Sequence, residues 1–257
     1  MILEVKDLSF AYPGGETLFD HVSFALEEGQ IFSILGANGA GKSTMMNCIA
    51  NLLTPNRGEI RIAGKRLSDM SIREVSMLIG YVPQMHTAAY GYAVRDFVVM
   101  GRAPHLGFLK QPTAADFALV DETLEELGIA RLANRPYTEL SGGERQQVSI
   151  ARAIVQQPKI IMLDEPTNHL DYGNQLRMLH LVRKLASKGY TIIITSHMPD
   201  HVLLLGGSVG MLNDDGSFVT GRNEDIITEE NLRRLYGVDV HLIYLEQLRR
   251  VVCVSGE

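Results

Sequence analysis

The sequence predicts an α/β fold with a mainly parallel central sheet, an N-terminal antiparallel β layer and an inserted helical subdomain. Three observations predict it. Residues 31–35, Ile-Phe-Ser-Ile-Leu, are a short apolar run that meets a glycine-rich stretch and then a helical pattern; a strand feeding a helix through a tight turn is the building unit of parallel sheets. Residues 159–163 and 190–196 are two further runs of mostly apolar residues, as suits strands covered on both faces. Between them and the first run, residues 85–158 carry mainly helical patterns, whereas residues 2–26 alternate like two half-buried strands.

The bulk numbers agree with a globular chain. It has 257 residues, 46% of them apolar and 21% charged, and a net charge of −6. The acidic balance leaves no basic footprint for nucleic acid. No apolar run approaches the roughly 18 residues of a membrane span. The first ten residues alternate and carry charge, so they read as a strand rather than a signal peptide. Cys48 and Cys253 lack metal-ligand spacing, and a reduced, cytosolic compartment is expected.

Taken in order, residues 2–12 read as a strand ended by Pro13-Gly14-Gly15, and residues 17–26 as its partner, with Glu28-Gly29 as a second turn. Tyr12 precedes the first turn; its ring can pack on the sheet or stack on a nucleotide base. The helix after the glycine stretch places Met45, Met46, Ile49, Leu52 and Leu53 on one side. Residues 58–62 with Ala63-Gly64-Lys65 read as a hairpin, residues 71–78 as a short amphipathic helix, and residues 79–84 as a strand end with Gln84 at its exit. Helices are expected over 94–100, 113–127 and 145–156. Thr113 with Asp116 caps the second, and Gly128 closes it. Residues 101–112 read as a Gly- and Pro-rich loop in which Phe108 and Leu109 are candidates for a partner surface. Beyond the strand at 159–163, residues 174–188 read as helix, 190–196 as strand, 198–205 as helix and 208–212 as strand, turning into 217–220. The tail holds a short helix and strands near 238–244 and 251–254, and its residues imply no role.

Chemistry is concentrated at four places. Residues 36–43, Gly-Ala-Asn-Gly-Ala-Gly-Lys-Ser, fit G-x-x-x-x-G-K-[ST] at every fixed position. The glycines let backbone N–H groups turn toward an anion, and the new helix points its unsatisfied N–H groups at the same spot. Lys42 would sit on the β- and γ-phosphates and the Ser43 hydroxyl would hold Mg²⁺; the fold expected is therefore a P-loop NTPase core. Residues 140–144, Leu-Ser-Gly-Gly-Glu, contain S-x-x-E, a capping box. The consecutive Gly142 and Gly143 weaken a first helical turn but admit a ligand to its N–H groups, so a second anion site is expected there. Asp164 and Glu165 end an apolar strand, where open α/β sheets place their ligands. Asp164 can hold the Mg²⁺ shell, and Glu165 can accept a proton from, or orient, an attacking water. His197 ends the neighbouring strand and is placed to contact a γ-phosphate or its water.

Together these residues resemble the ATP-binding subunit of ABC transporters over essentially the whole chain, most weakly after about residue 225. Gly36 to Ser43 resembles the Walker A motif, residues 140–144 the LSGGE signature, and residues 160–165 Walker B with the catalytic glutamate. Gln84 fits the Q-loop, His197 the switch histidine and Asp171 the D-loop. The resemblance implies ATP and Mg²⁺ as ligands. Tyr12, Gly36, Asn38, Gly39, Ala40, Gly41, Lys42, Ser43 and Thr44 would bind ATP, and Ser43, Gln84 and Asp164 the metal. Glu165, His197, Lys42 and Gln84 would act in catalysis. Two copies would face head to tail, so that Ser141, Gly142, Gly143, Glu144 and Asp171 reach the ATP of the partner. No arginine finger is evident, and such donors in trans would stabilise the far side of the triphosphate.

The resemblance also implies one ABC ATPase domain, with a core at about 1–84 and 159–225, a helical subdomain at about 85–158 and an extension at about 226–257. Residues 94–107 are similar to the importer branch that serves iron–siderophore, haem and cobalamin uptake. Partners would be a second copy, integral membrane permease subunits against the helical subdomain and, indirectly, a substrate-binding protein, at the cytoplasmic face of a bacterial or archaeal membrane. Ala37, Gln147 and Met198 depart from the usual pattern without removing a chemical group. A molybdate or metal-ion importer, an exporter, or a non-transport relative acting in DNA repair or on the ribosome are the alternatives. DNA-repair relatives carry a long coiled coil that the interval from Lys42 to Leu140 cannot hold, and ribosomal ones carry two cassettes.

Overall fold

The computed structural model describes residues 1–84, 91–107 and 110–256. Strands β1 (Leu3–Ala11) and β2 (Thr17–Leu26) pair antiparallel, with Leu3 opposite Leu26 and Ala11 opposite Thr17. Strand β3 (Ile31–Gly36) runs through the glycine loop into α1 (Lys42–Ile49). Strand β4 (Arg57–Ile62) returns beside β1 and, with the two-residue β5 (Lys65–Arg66), completes a four-stranded antiparallel sheet. Helix α2 (Ile72–Leu78), opened by a Ser71–Glu74 capping box, leads into β6 (Ile79–Val82). Then come α3 (Val94–Val99), α4 (Ala114–Glu126) and α5 (Gly142–Val155). The chain re-enters the sheet as β7 (Ile160–Leu163), α6 (Tyr172–Ser187), β8 (Thr191–Ser196), α7 (Pro199–Leu205) and β9 (Ser208–Leu212). It ends in β10 (Phe218–Arg222), α8 (Asn223–Ile226), α9 (Glu229–Tyr236) and the hairpin β11 (Val240–Leu245) and β12 (Arg250–Ser255).

The central sheet has the order β10-β9-β3-β8-β7-β6, parallel throughout except for β10 at one edge. Its apolar runs divide by the two-residue period of a strand. In β7, Ile160 and Met162 face the core shared with α1 and the antiparallel sheet, while Ile161 and Leu163 face α5 and α6. Burial on both faces is why these strands show no polar alternation. Leu35 pairs with Ser196 and Leu163 with Ile194. The C-terminal ends of β3, β8 and β7 therefore lie side by side, and the loops that follow them meet.

Helices α3, α4 and α5 gather around their own apolar cluster, including Val94, Val98, Val120, Leu124 and Val148, while Ile150, Ala153 and Ile154 of α5 turn to the sheet. The Thr113 cap forms as expected: Asp116 accepts the Thr113 N–H at 2.9 Å and its hydroxyl at 2.8 Å, and Arg102 donates to Asp116 at 2.9 Å. The Thr113 N–H, then Arg102 and the Thr113 hydroxyl, hold this carboxyl down from 3.8 to about 2. A depressed carboxylate contributes stability that is present above its unfolded value and is lost as pH falls through the folded one. In urea melts, the wild-type chain should lose more stability than Asp116→Asn between pH 3.8 and about 2. Parallel pH dependences would refute that role for the cap.

Several boundaries differ from expectation. Helix α1 stops at Ile49, so Leu52 leaves the apolar side and is 62% exposed. The first part of the expected loop at 101–112 belongs instead to a 3-10 helix, Met100–His105, with Arg102 and His105 bonded to the C-terminal end of α5. Helix α5 starts at Gly142 rather than Arg145, as the expected Ser141–Glu144 capping box requires. Helix α6 starts at Tyr172, not Asn174, because Asp171 caps it. Phe108 and Leu109 lie outside the described residues.

Candidate functional site

Gly41 precedes α1 at φ +104°, and a Cβ there would come 2.7 Å from Leu18 of β2, so glycine alone lets this turn close. The loop and the first turn of α1 wall an open cavity of about 350 Å³, together with Tyr12, Leu18, Gln84, Glu165 and Asn168. Of the expected ATP contacts, Asn38, Gly39, Gly41, Lys42, Ser43 and Thr44 line it; Gly36 and Ala40 do not. The Ala40 N–H points back to the Ala37 carbonyl at 3.4 Å. The ring of Tyr12 packs on the sheet and leaves part of its surface at the cavity. It packs edge-on to Phe10 at 4.9 Å, its hydroxyl lies 3.2 Å from that of Thr44, and it stays half exposed at the cavity.

Lys42 is buried. Its ammonium donates to the carbonyls of Gly36 at 2.9 Å and Ala37 at 2.8 Å and lies 3.0 Å from Glu165 Oε1. An ammonium has three protons, so each has an oxygen partner before any phosphate arrives.

Glu165 is the centre of the cluster. Its backbone is left-handed, at φ +44°, a strained conformation for a non-glycine residue that the surroundings over-determine. Its N–H donates to Thr195 Oγ1 at 2.7 Å, and the same hydroxyl donates to Asp164 Oδ1 at 2.6 Å. Glu165 Oε2 accepts from Gln84 and from Asn168, each at 3.3 Å. His197 Nδ1 lies 3.3 Å from the same oxygen; it is shielded from solvent and close enough for an ionic contact, but it lacks the alignment of a hydrogen bond.

Asp164 is 2% exposed, and the Tyr81 hydroxyl donates to its second oxygen at 3.4 Å. Burial, with Asp164 beside it, pushes the Tyr81 phenol up and keeps it a donor. Ser43 and Gln84 line the cavity, while Asp164 lies buried beside Glu165, outside the lining, with its oxygens held by Thr195 and Tyr81; between them they carry hydroxyl, amide and carboxylate oxygens. This hard donor set fits Mg²⁺, which takes few protein ligands and completes its shell from substrate phosphates and water.

The remaining expected residues lie elsewhere in the chain. Ser141 and Glu144 form the capping box reciprocally: Glu144 N–H donates to Ser141 Oγ at 3.3 Å, and the Ser141 N–H and hydroxyl donate to Glu144 at 3.1 and 3.0 Å. The Ser141 N–H, then Arg131, lower the Glu144 carboxyl. Asp171 caps α6 by accepting the Asn174 N–H at 2.8 Å, and a Cβ on Gly143 would sit 3.3 Å from the Asn174 side chain. The starts of α5 and α6 therefore adjoin. Neither residues 141–144 nor Asp171 line the glycine-loop cavity; Gly142 borders a second one of about 210 Å³, which shares Gln84 and Asn168 with the first. Within one chain, Ser141 to Glu144 and Asp171 thus stay outside the cavity that Lys42, Gln84 and Glu165 line.

Four contributors had not been expected: Thr195, Tyr81, Asn168 and Leu18. Asn168, one turn after Glu165, could have been found from its spacing. Thr195 and Tyr81 reach the site through pairing in the central sheet and Leu18 through the packing of the antiparallel sheet against the glycine loop, neither of which a local pattern encodes.

The comparisons point one way. The family model for ABC transporters matches residues 19–168. An uncharacterized ABC transporter ATP-binding protein of Haemophilus influenzae is 42% identical, over 95% of this chain and 92% of its own length. The molybdate import ATP-binding protein MolC of the same organism is 37% identical, over 95% and 90%. A solved ABC transporter assigned to the metal-chelate type, in an inward-facing conformation, superposes with a TM-score of 0.88 at 33% identity, over 100% of this chain and 97% of that one. An ATP-binding cassette solved as a dimer bound to ADP and Pi superposes at 0.74 with 27% identity, over 86% and 99%.

Proposed function

Because this chain belongs to the ABC transporter family as its ATP-hydrolysing, ATP-binding subunit, we propose that two copies close head to tail on two ATP molecules and drive import of a metal chelate, of the iron–siderophore, haem or cobalamin class. The observation that carries the reading is the division of the site. Lys42, Gln84 and His197 converge on the buried Glu165 at one cavity, while Ser141 to Glu144 and Asp171 lie outside it. A triphosphate in that cavity has a donor wall on one side only, and the N–H groups at the start of a second copy's α5 would supply the other.

In this reading, ATP draws Lys42 from Glu165 onto the β- and γ-phosphates. The freed carboxylate orients a water and accepts its proton as the water oxygen bonds the γ-phosphorus and the β–γ bridging oxygen leaves with ADP. His197 donates to the γ-phosphate oxygens. Ser141 turns from Glu144 toward the phosphate. Ser43, Asp164 and Gln84 would hold Mg²⁺, which would neutralise charge on the β- and γ-phosphates. Tyr12 covers the base. The helical segment around α3 to α5 would meet integral membrane permeases at the cytoplasmic face, with a substrate-binding protein acting beyond them. Among the described residues no helix is long and apolar enough to cross a membrane.

A second cargo, molybdate, is supported by the 37% identity to a molybdate import subunit. Reconstitution with the membrane subunits in vesicles separates the two. ATP-dependent uptake of a ferric chelate with no uptake of molybdate is expected, and the reverse would assign the oxyanion. For the isolated chain, ATPase activity per chain should rise with protein concentration. A rate independent of concentration, from a species that stays monomeric, would overturn the shared site.

A further inference from the structure

The C-terminal segment has no part in the reading above, yet it bonds the turn that carries His197 and the start of the helix that follows it. That turn lies between the last residue of β8, Ser196, and the first of α7, Pro199. Inside it the Met198 N–H donates to Ser196 Oγ at 3.0 Å, but Met198 opens α7 without a side-chain cap, and a proline at the first helical position brings no N–H. From outside, Tyr236 donates its hydroxyl to the His197 carbonyl at 2.9 Å, and the Cys253 N–H of β12 donates to Asp200 Oδ1 at 2.9 Å. Tyr236 is itself well anchored as the last residue of α9. Thr228 caps that helix, Gly237 closes it at φ +68°, and Leu232 and Leu235 bury among Leu35, Val202, Val209 and Met211. Burial pushes the Tyr236 phenol up, so it remains a donor.

We propose that Tyr236 is a positioning residue for catalysis, its hydroxyl fixing the peptide from which the His197 imidazole hangs. This rests on the role given to His197 under the proposed function. Among the described residues the ring has no aligned hydrogen bond at Nδ1, so its aim depends on its backbone. A ring displaced by a fraction of an ångström loses its transition-state contact far more than its ground-state contact. The tail is then a strut built behind the phosphate site, tied to the same sheet as the glycine loop through Leu35.

The test uses the full chain. Tyr236→Phe is expected to lower kcat about fivefold, on the scale of one weak hydrogen bond. It should leave KM for ATP within about twofold. In ring-nitrogen NMR spectra it should move the His197 resonances, identified by their absence in His197→Ala. A wild-type kcat, or a lower kcat with the His197 resonances in place, overturns the inference; if His197→Ala still loses turnover, the catalytic reading survives that result. A wild-type kcat in His197→Ala instead overturns the role of His197 and this inference with it.

Discussion

Glu165→Gln is expected to stop steady-state ATP hydrolysis, by a factor on the order of 10²–10⁴, because the variant keeps the shape of the side chain but removes its basicity. It should not stop ATP binding. In the free chain Glu165 Oε1 lies 3.0 Å from the Lys42 ammonium, so an incoming triphosphate competes with a carboxylate for the same cation. Glutamine is a weaker competitor. ATP should therefore bind the variant more tightly and raise its melting temperature more than that of the wild type, since a ligand that binds only the folded state stabilises by RT ln(1 + [L]/Kd). Without turnover the closed pair should persist, eluting as a dimer in gel filtration with ATP. Monomer alone under those conditions would refute the two-chain mechanism for the isolated subunit.

Lys42→Ala is expected to weaken nucleotide binding by roughly 100-fold or more, the scale of losing a charge-assisted contact of about 3 kcal/mol. A fluorescent ATP analogue read by titration would show it, and undiminished affinity would refute the phosphate role. The same change should destabilise the unliganded chain. Lys42 and Glu165 are 4% and 8% exposed, and removing one member of a buried pair leaves the other without its counter-charge, at a cost of about 3–5 kcal/mol. Adding Glu165→Gln to Lys42→Ala should recover much of that stability and none of the binding. This separates the folding role of the pair from its role toward phosphate.

What the sequence determined by itself was whatever depends on near neighbours. The glycine loop with its flanking strand and helix, the capping boxes at Thr113 and Ser141, the apolar strand before Asp164 and the antiparallel pair at the N-terminus all lie within a few turns of chain, and each formed near its expected place. The motifs were legible for the same reason, since each is a local backbone geometry with a residue type that it requires. Tertiary structure decided which of these pieces meet. The parallel order β3-β8-β7 sets Thr195 between Asp164 and Glu165 and brings His197 to the same carboxylate as Lys42. It also leaves Ser141 outside the cavity and seats the tail behind the His197 turn. Those contacts depend on strand register, in which a slip of one residue sends every side chain to the opposite face, and register is settled by the packing of the whole sheet rather than by any one segment.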